Sequence, residues 1–366
     1  MTTRPKGVIP ALLTHMFDNG KIDYDSIDRH VEFLIANGVH GIVPCGTTGQ
    51  SPTISWEEHE EINKTVIAAR DRANSKTSVI IGAGSNNLIE AVESTKKATE
   101  EGADATLHVT GYYNMPTQEG FANYFLGVAD AASEKGVIIY NIPGRGHPLI
   151  LPETMAALAK ARKNIWGTKD STGGRVAGHK LYNEERSLWR AIRREANMRG
   201  LSLFGIWSGD DPVTCAMMTD PEIRANGVIS VWANVFPHVY AKMVEAILRH
   251  DYKAAEKIDN SLKELNGLVG VRTGYYFPVG SENIYVEDDN FRNPQPAQFV
   301  AYTLGLTNSP MVRSPMIVPP KEVQRKVGVA LHRLFVEHED YFGPITEFYH
   351  PQPSVADRLM EYKEVV

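Results

Sequence analysis

Lys169 closes an otherwise apolar run, Ile165-Trp-Gly-Thr, and is followed by Asp170. An amine at the end of a buried strand is placed to attack a carbonyl carbon and form an imine. The same position suits a solvated lysine paired with Asp170, and local sequence leaves both readings open. Tyr113 and Tyr140 follow or end other apolar runs. Each is either a phenol that relays protons or a rim aromatic whose hydroxyl is satisfied. Gly46-Thr47-Thr48-Gly49 offers two hydroxyls and backbone N–H groups to a carboxylate, although alone it is a turn. Arg145, in Pro143-Gly-Arg-Gly, has the planar fork that recognises carboxylates, or is an exposed loop arginine. The histidines are scattered, with no HxH or HExxH, and Asp288-Asp289 lacks the rest of a calcium loop. There is no P-loop and no dinucleotide fingerprint. The residues therefore point away from a metal site.

These groups need elements to position them. Strand-like runs at 8–16, 41–45, 78–83, 105–110, 136–142, 165–169, 201–207 and 227–232 are short and rich in Val and Ile. Most read as continuous apolar stretches, the pattern of strands buried on both faces. Amphipathic segments separate them, at 24–36, 55–73, 88–101, 118–133, 152–162, 175–198, 212–218 and 237–250. Ser55-Trp-Glu-Glu reads as a helix N-cap with acidic first-turn residues. Eight strand–helix units predict a (β/α)8 TIM barrel over residues 1–250, where active sites lie at the carboxyl ends of the strands. Residues 251–366 read as a C-terminal helical extension with helices at 251–268, 296–304 and 320–341. Residues 270–293 read as irregular, and the stretch after Phe342 as a polar, Pro-interrupted docking tail.

The 366 residues (40.6 kDa) suit one large α/β domain with an appendix. A net charge of −6 and pI near 6.1 argue against a nucleic-acid binder. No apolar run approaches membrane-span length, and the N-terminus shows no signal-peptide pattern. Cys45 and Cys215 form no CxxC, so neither a disulfide framework nor a cysteine zinc site is expected. A cytoplasmic location is the expectation.

Six blocks occur in order: Gly46-Thr-Thr-Gly; Tyr112-Tyr-Asn with Pro116-Thr-Gln-Glu-Gly; Tyr140-Asn-Ile-Pro-Gly-Arg145; Lys169-Asp-Ser-Thr-Gly; Ser208-Gly-Asp-Asp; Gly227-Val-Ile-Ser-Val. From about residue 8 to about residue 265 the chain resembles the dihydrodipicolinate synthase / N-acetylneuraminate lyase family of class I pyruvate aldolases. The resemblance implies a pyruvate imine on Lys169, with Thr47 and Thr48 holding the pyruvate carboxylate and the Ile229 carbonyl orienting the site. It implies Tyr140 as general acid/base, in a relay with Thr48 and with Tyr113 from a neighbouring subunit. Arg145 would bind the carboxylate of the second substrate. No metal or organic cofactor is implied, and the assembly would be a dimer of dimers.

The pairing of Gly46-Thr-Thr-Gly with Arg145 points to condensation of pyruvate with aspartate semialdehyde in lysine biosynthesis. The alternatives are a pyruvate aldolase of the 2-keto-3-deoxy sugar acid or N-acetylneuraminate type, and, in another class, a non-catalytic ligand-binding barrel. An inhibitory lysine site would map to Ser51, Trp56, His59, Asn86, Glu90 and Tyr112. The chain departs from the family at Gln50 (usually Glu), Gly111 (commonly Pro) and Gly146-His147 after the arginine. It also departs in a long segment after Lys169, a longer region after Gly270 and the tail. Gly111 and His147 flank the expected acceptor side.

Overall fold

The apolar runs become strands, most of them shorter than their hydropathy suggests. In the computed structural model, which describes residues 4–109, 111–146 and 148–363, the chain opens with β1 (Gly7–Pro10), α1 (Tyr24–Ala36), β2 (Gly41–Ile42) and α2 (Trp56–Arg72). It continues through β3 (Ser78–Gly82), α3 (Leu88–Glu100), β4 (Ala105–Val109), α4 (Gln118–Ala131), β5 (Gly136–Asn141) and a single turn, α5 (Pro143–Gly146). Then come α6 (Pro152–Ala161), β6 (Ile165–Asp170), α7 (Ser187–Met198), β7 (Gly205–Ser208), α8 (Thr214–Thr219), β8 (Gly227–Ser230) and α9 (Pro237–Leu248). His147 and Thr110, the end of one expected strand, lie outside the described residues.

The eight strands pair in the order β1-β8-β7-β6-β5-β4-β3-β2, all parallel. A parallel bridge between Ala11 and Val43 joins the two ends, with the Leu12 N–H donating to the Val43 carbonyl. This is the expected TIM barrel. Ile9, Val43, Ile80, Ile138, Trp166, Trp207 and Ile229 fill its interior, while the larger apolar cluster lies between barrel and helices. The α2 N-cap forms as its sequence indicates. Ser55 accepts from the Glu58 N–H, and Glu58 accepts from the Ser55 N–H.

A bulge aims Lys169. Val137 pairs with Ile165, yet Ile138 pairs with Gly167, so Trp166 is an extra residue on β6. Strand side chains alternate between faces, and one inserted residue reverses the parity beyond it. Trp166 points into the barrel; without the bulge, Lys169, three residues on, would face out. With the bulge it pairs with Tyr140 and faces in. Gly167 is required there, because a Cβ would collide with the backbone of Gly205.

Three expectations fail beyond the core strands. The segment 175–198 is helical only at α7. Residues 171–186 form a loop, with Gly173, Gly174 and Gly178 at positive φ, which a helix cannot accommodate. After α10 (Tyr252–Ser261) and α11 (Lys263–Gly267), the supposedly irregular stretch is an antiparallel hairpin of β9 (Gly270–Val279) and β10 (Glu282–Arg292). Gly280, at φ +60, makes its turn. The signal was the period-2 set Val271, Thr273, Tyr275, Phe277, obscured by neighbouring glycines, a proline and acidic residues. The third failure is the tail. Beyond α12 (Gln295–Thr303) and α13 (Lys321–Glu337), it folds back as α14 (Gly343–Tyr349) and α15 (Val355–Met360). Ile345, Tyr349, Val355 and Leu359 are buried, and the Tyr349 hydroxyl is 2.8 Å from His30 Nδ1 on α1. Its apolar residues recur at helical spacing and bury α14 against Phe33 of α1, and α15 against α12 and α13. No helix among the described residues is long and apolar enough to cross a membrane.

Candidate active site

Lys169 ends β6 and Tyr140 lies beside it on β5, the two in register. Both are nearly fully buried, and Lys169 Nζ lies 4.2 Å from the centroid of the Tyr140 ring. The ring face attracts the ammonium and fixes the side chain. Asp170 is not its partner. One Asp170 oxygen accepts from Thr172 and from the Trp189 indole N–H at 2.7 Å, and the other from Asn141 Nδ2 at 2.9 Å. Burial is the main cause raising the Asp170 pKa above the usual carboxylate value. Asp170 thus anchors α7 to the barrel from outside, and Lys169 faces inward. Among the described residues Lys169 has no ion pair.

Lys169 opens into a cavity of about 410 Å³ with Thr47, Thr48, Tyr140 and Arg145 on its walls. Thr48 is buried, and its hydroxyl accepts from Asn293 Nδ2 at 2.9 Å. Arg145 stands at the mouth, where its Nη2 donates to the Asn293 carbonyl at 2.9 Å. Desolvation lowers the Arg145 pKa, and the like charge of Arg292 adds to this against the opposing effect of Tyr140. Asp210 and Asp211 line the β7–β8 side. Asp211 accepts from the Val231 and Trp232 N–H groups, holding the chain after β8. Burial, with the nearby Asp170 charge, pushes the Asp210 pKa up to about 6. Ile229 is buried in the barrel interior on β8.

A second cavity of about 410 Å³ shares Thr47, Tyr140 and Arg145 with the first. Ser51, Trp56, His59, Glu90 and Tyr112 line it. Asn86 contributes by accepting from the Tyr112 N–H at 2.9 Å, and Glu90 accepts from the Ser85 hydroxyl at 2.6 Å. Tyr113 joins neither cavity. It is 95% exposed, at φ +68. Gln50 is buried. Its side-chain oxygen accepts the Arg313 N–H at 2.9 Å, and Arg313 forms a two-pronged ion pair with Glu58.

Sequence reasoning missed Asn290, Arg292 and Asn293. They reach the cavity from the hairpin read as irregular, 245 residues beyond Thr48 in the case of Asn293. The visible signal was the aromatic and β-branched run Ile284-Tyr-Val, followed after an acidic stretch by the Asn293-Pro294 pair.

A parallel barrel with a buried amine at a strand's carboxyl end, against a phenol and two threonines, defines an imine-forming class I aldolase barrel. A profile of the dihydrodipicolinate synthetase family matches residues 4–334, and the chain belongs to that family. It is 40% identical to the 4-hydroxy-tetrahydrodipicolinate synthase of Geobacter sulfurreducens over 268 residues, 72% of this chain and 83% of that one. The dihydrodipicolinate synthase structure from Aquifex aeolicus superposes with a TM-score of 0.74 at 32% identity, covering 91% of this chain and 98% of that one. The enzyme from Cyanidioschyzon merolae with lysine bound gives a TM-score of 0.75 at 29% identity, covering 90% and 98%.

Proposed function

We propose that this enzyme condenses pyruvate with aspartate semialdehyde, as a 4-hydroxy-tetrahydrodipicolinate synthase, in the cytoplasm. The observation that carries this reading is Lys169, buried, without a carboxylate partner and set over the Tyr140 ring inside a cavity that also presents Thr47, Thr48 and Arg145. The Lys169 amine attacks the keto carbon of pyruvate, and loss of water leaves an iminium. Thr47 and Thr48 hold the pyruvate carboxylate. The iminium accepts electron density as a methyl proton leaves toward the Tyr140 oxygen, and the resulting enamine carbon bonds to the aldehyde carbon. The alkoxide formed takes a proton through the same phenol. Thr48 and Tyr113 complete the proton relay, with Tyr113 supplied by a second copy in a dimer of dimers. Its near-complete exposure at a loop tip supports that role, and sedimentation equilibrium measures the assembly. The test of the reaction is a product-coupled assay with pyruvate and a panel of aldehydes. Aspartate semialdehyde is expected to be turned over fastest; preference for a sugar aldehyde would replace this acceptor, and turnover of none would leave a ligand-binding barrel.

Arg145 pairs with the acceptor carboxylate in this reading. Arg145→Ala is expected to lower kcat/KM for aspartate semialdehyde more than tenfold, a loss of about 1.5–3 kcal/mol for a charge-assisted hydrogen bond. Steady-state kinetics with each substrate varied checks this; an unchanged value removes the role.

The second cavity suits an inhibitory lysine, with Glu90 facing its ammonium, Tyr112 and Asn86 its carboxylate, and Trp56 its side chain. Because this cavity shares Thr47, Tyr140 and Arg145 with the Lys169 cavity, its occupant would disturb the reaction. Partial inhibition by L-lysine, weakened in Glu90→Ala, is the expected outcome of an inhibition curve. A flat response to millimolar lysine would remove this regulatory role.

A further inference from the structure

The base of the β9–β10 hairpin is anchored by Phe291, which packs edge-on against Tyr275 at 5.1 Å and is buried with Val271. Side chains alternate across a strand, so the residues on either side of Phe291 face the other way. Those residues are Asn290 and Arg292, and both line the Lys169 cavity. The hairpin is also tied to Arg145, whose guanidinium donates to the carbonyl of Asn293, the residue next to Arg292. Two guanidinium groups therefore stand at one mouth, each with the other's like charge nearby.

Neither has a carboxylate within ion-pair distance among the described residues. The carboxyls that do line the cavity, Asp210 and Asp211, belong to the loop after β7, next to the amine of Lys169. The influence of Arg292 on Arg145 is repulsive and lowers the proton affinity of Arg145. An anion between the two would reverse that repulsion, and Arg292, still exposed, is free to turn onto it.

We infer that Arg292 is a specificity-determining residue that works with Arg145 to hold the anionic end of the acceptor aldehyde. This rests on the reading of the Lys169 cavity as an aldol site. In that site the pyruvate carboxylate goes to the threonine hydroxyls, deep beside Lys169. The carboxylate of the incoming aldehyde meets two arginines at the mouth, one from the α5 turn and one from the hairpin. The pair selects aldehydes that carry a carboxylate over neutral ones of the same length.

The experiment compares the full-length enzyme with Arg292→Gln and Arg292→Lys. Aspartate semialdehyde, succinate semialdehyde and neutral butyraldehyde are varied at saturating pyruvate, and borohydride trapping of pyruvate is measured in parallel. Arg292→Gln is expected to lower kcat/KM for the two carboxylate-bearing aldehydes about tenfold, through KM, and to leave the neutral aldehyde and the KM of pyruvate unchanged. Arg292→Lys recovers part of the loss, and added salt narrows the gap between the enzymes. Equal kcat/KM in Arg292→Gln and the parent enzyme overturns the inference. So does an equal loss on charged and neutral aldehydes, which marks a structural role, or a parent enzyme that traps pyruvate but does not discriminate between the two classes. A parent enzyme that traps no pyruvate instead overturns the aldol reading beneath it, so the two failures are distinguishable.

Discussion

Lys169→Met is expected to lose turnover by about a thousandfold or more, because removing a covalent nucleophile removes the intermediate itself. In the parent enzyme, pyruvate with borohydride should reduce the imine to a stable secondary amine, adding the carbon skeleton of pyruvate to one lysine. Mass spectrometry of the digest should place it on Lys169. Methionine suits the site because its unbranched, apolar side chain fills similar space over the Tyr140 ring without burying an unpaired charge. Circular dichroism and melting temperature close to those of the parent would show that the barrel survives. The β6 bulge sharpens the expectation, since it turns this lysine inward while Asp170 is fully engaged elsewhere. Trapping on a different lysine, or full activity in the variant, would defeat the imine mechanism.

Tyr140→Phe should cost about 10²–10⁴ in kcat, the usual contribution of a positioned general acid/base. The substitution keeps the ring under Lys169 Nζ, so the cation–ring contact and the packing inside the barrel persist. Only the hydroxyl is lost. The readout separating chemistry from structure is the end point of borohydride trapping. It should approach the parent yield given time, because the amine remains in place, while steady-state turnover collapses. If turnover and trapping declined in proportion, Tyr140 would be acting by positioning Lys169 and not by moving protons.

Alternation of short apolar runs with amphipathic segments was enough to count eight units. That pattern follows from burial of a parallel sheet on both faces, which is a local property of each run. The residues after each run could then be assigned to one rim, and Thr47, Thr48, Tyr140, Arg145 and Lys169 do line one cavity. The cap of α2 was legible for the same reason, since its donors and acceptors lie within three residues.

Strand ends were less legible. The run at 8–16 keeps its apolar character where the chain leaves the ladder after Ala11, because loops packed in a core are as apolar as strands. The hairpin was hidden because much of it is exposed, so composition at Gly274, Pro278 and Glu287-Asp-Asp outweighed a weak period-2 signal.

By itself, then, the sequence determined the barrel class and which strand ends carry reactive groups, since periodicity and residue type are properties of neighbours along the chain. Tertiary structure decided where Lys169 points, because a single extra residue at Trp166 sets the parity of β6 and only pairing with β5 reveals it. It decided that Asp170 serves Asn141, Thr172 and Trp189 instead of Lys169. It also placed Arg292 and Asn293 over a cavity whose other walls come mostly from the first 231 residues. Such contacts depend on which surfaces meet after folding, and no local pattern encodes them.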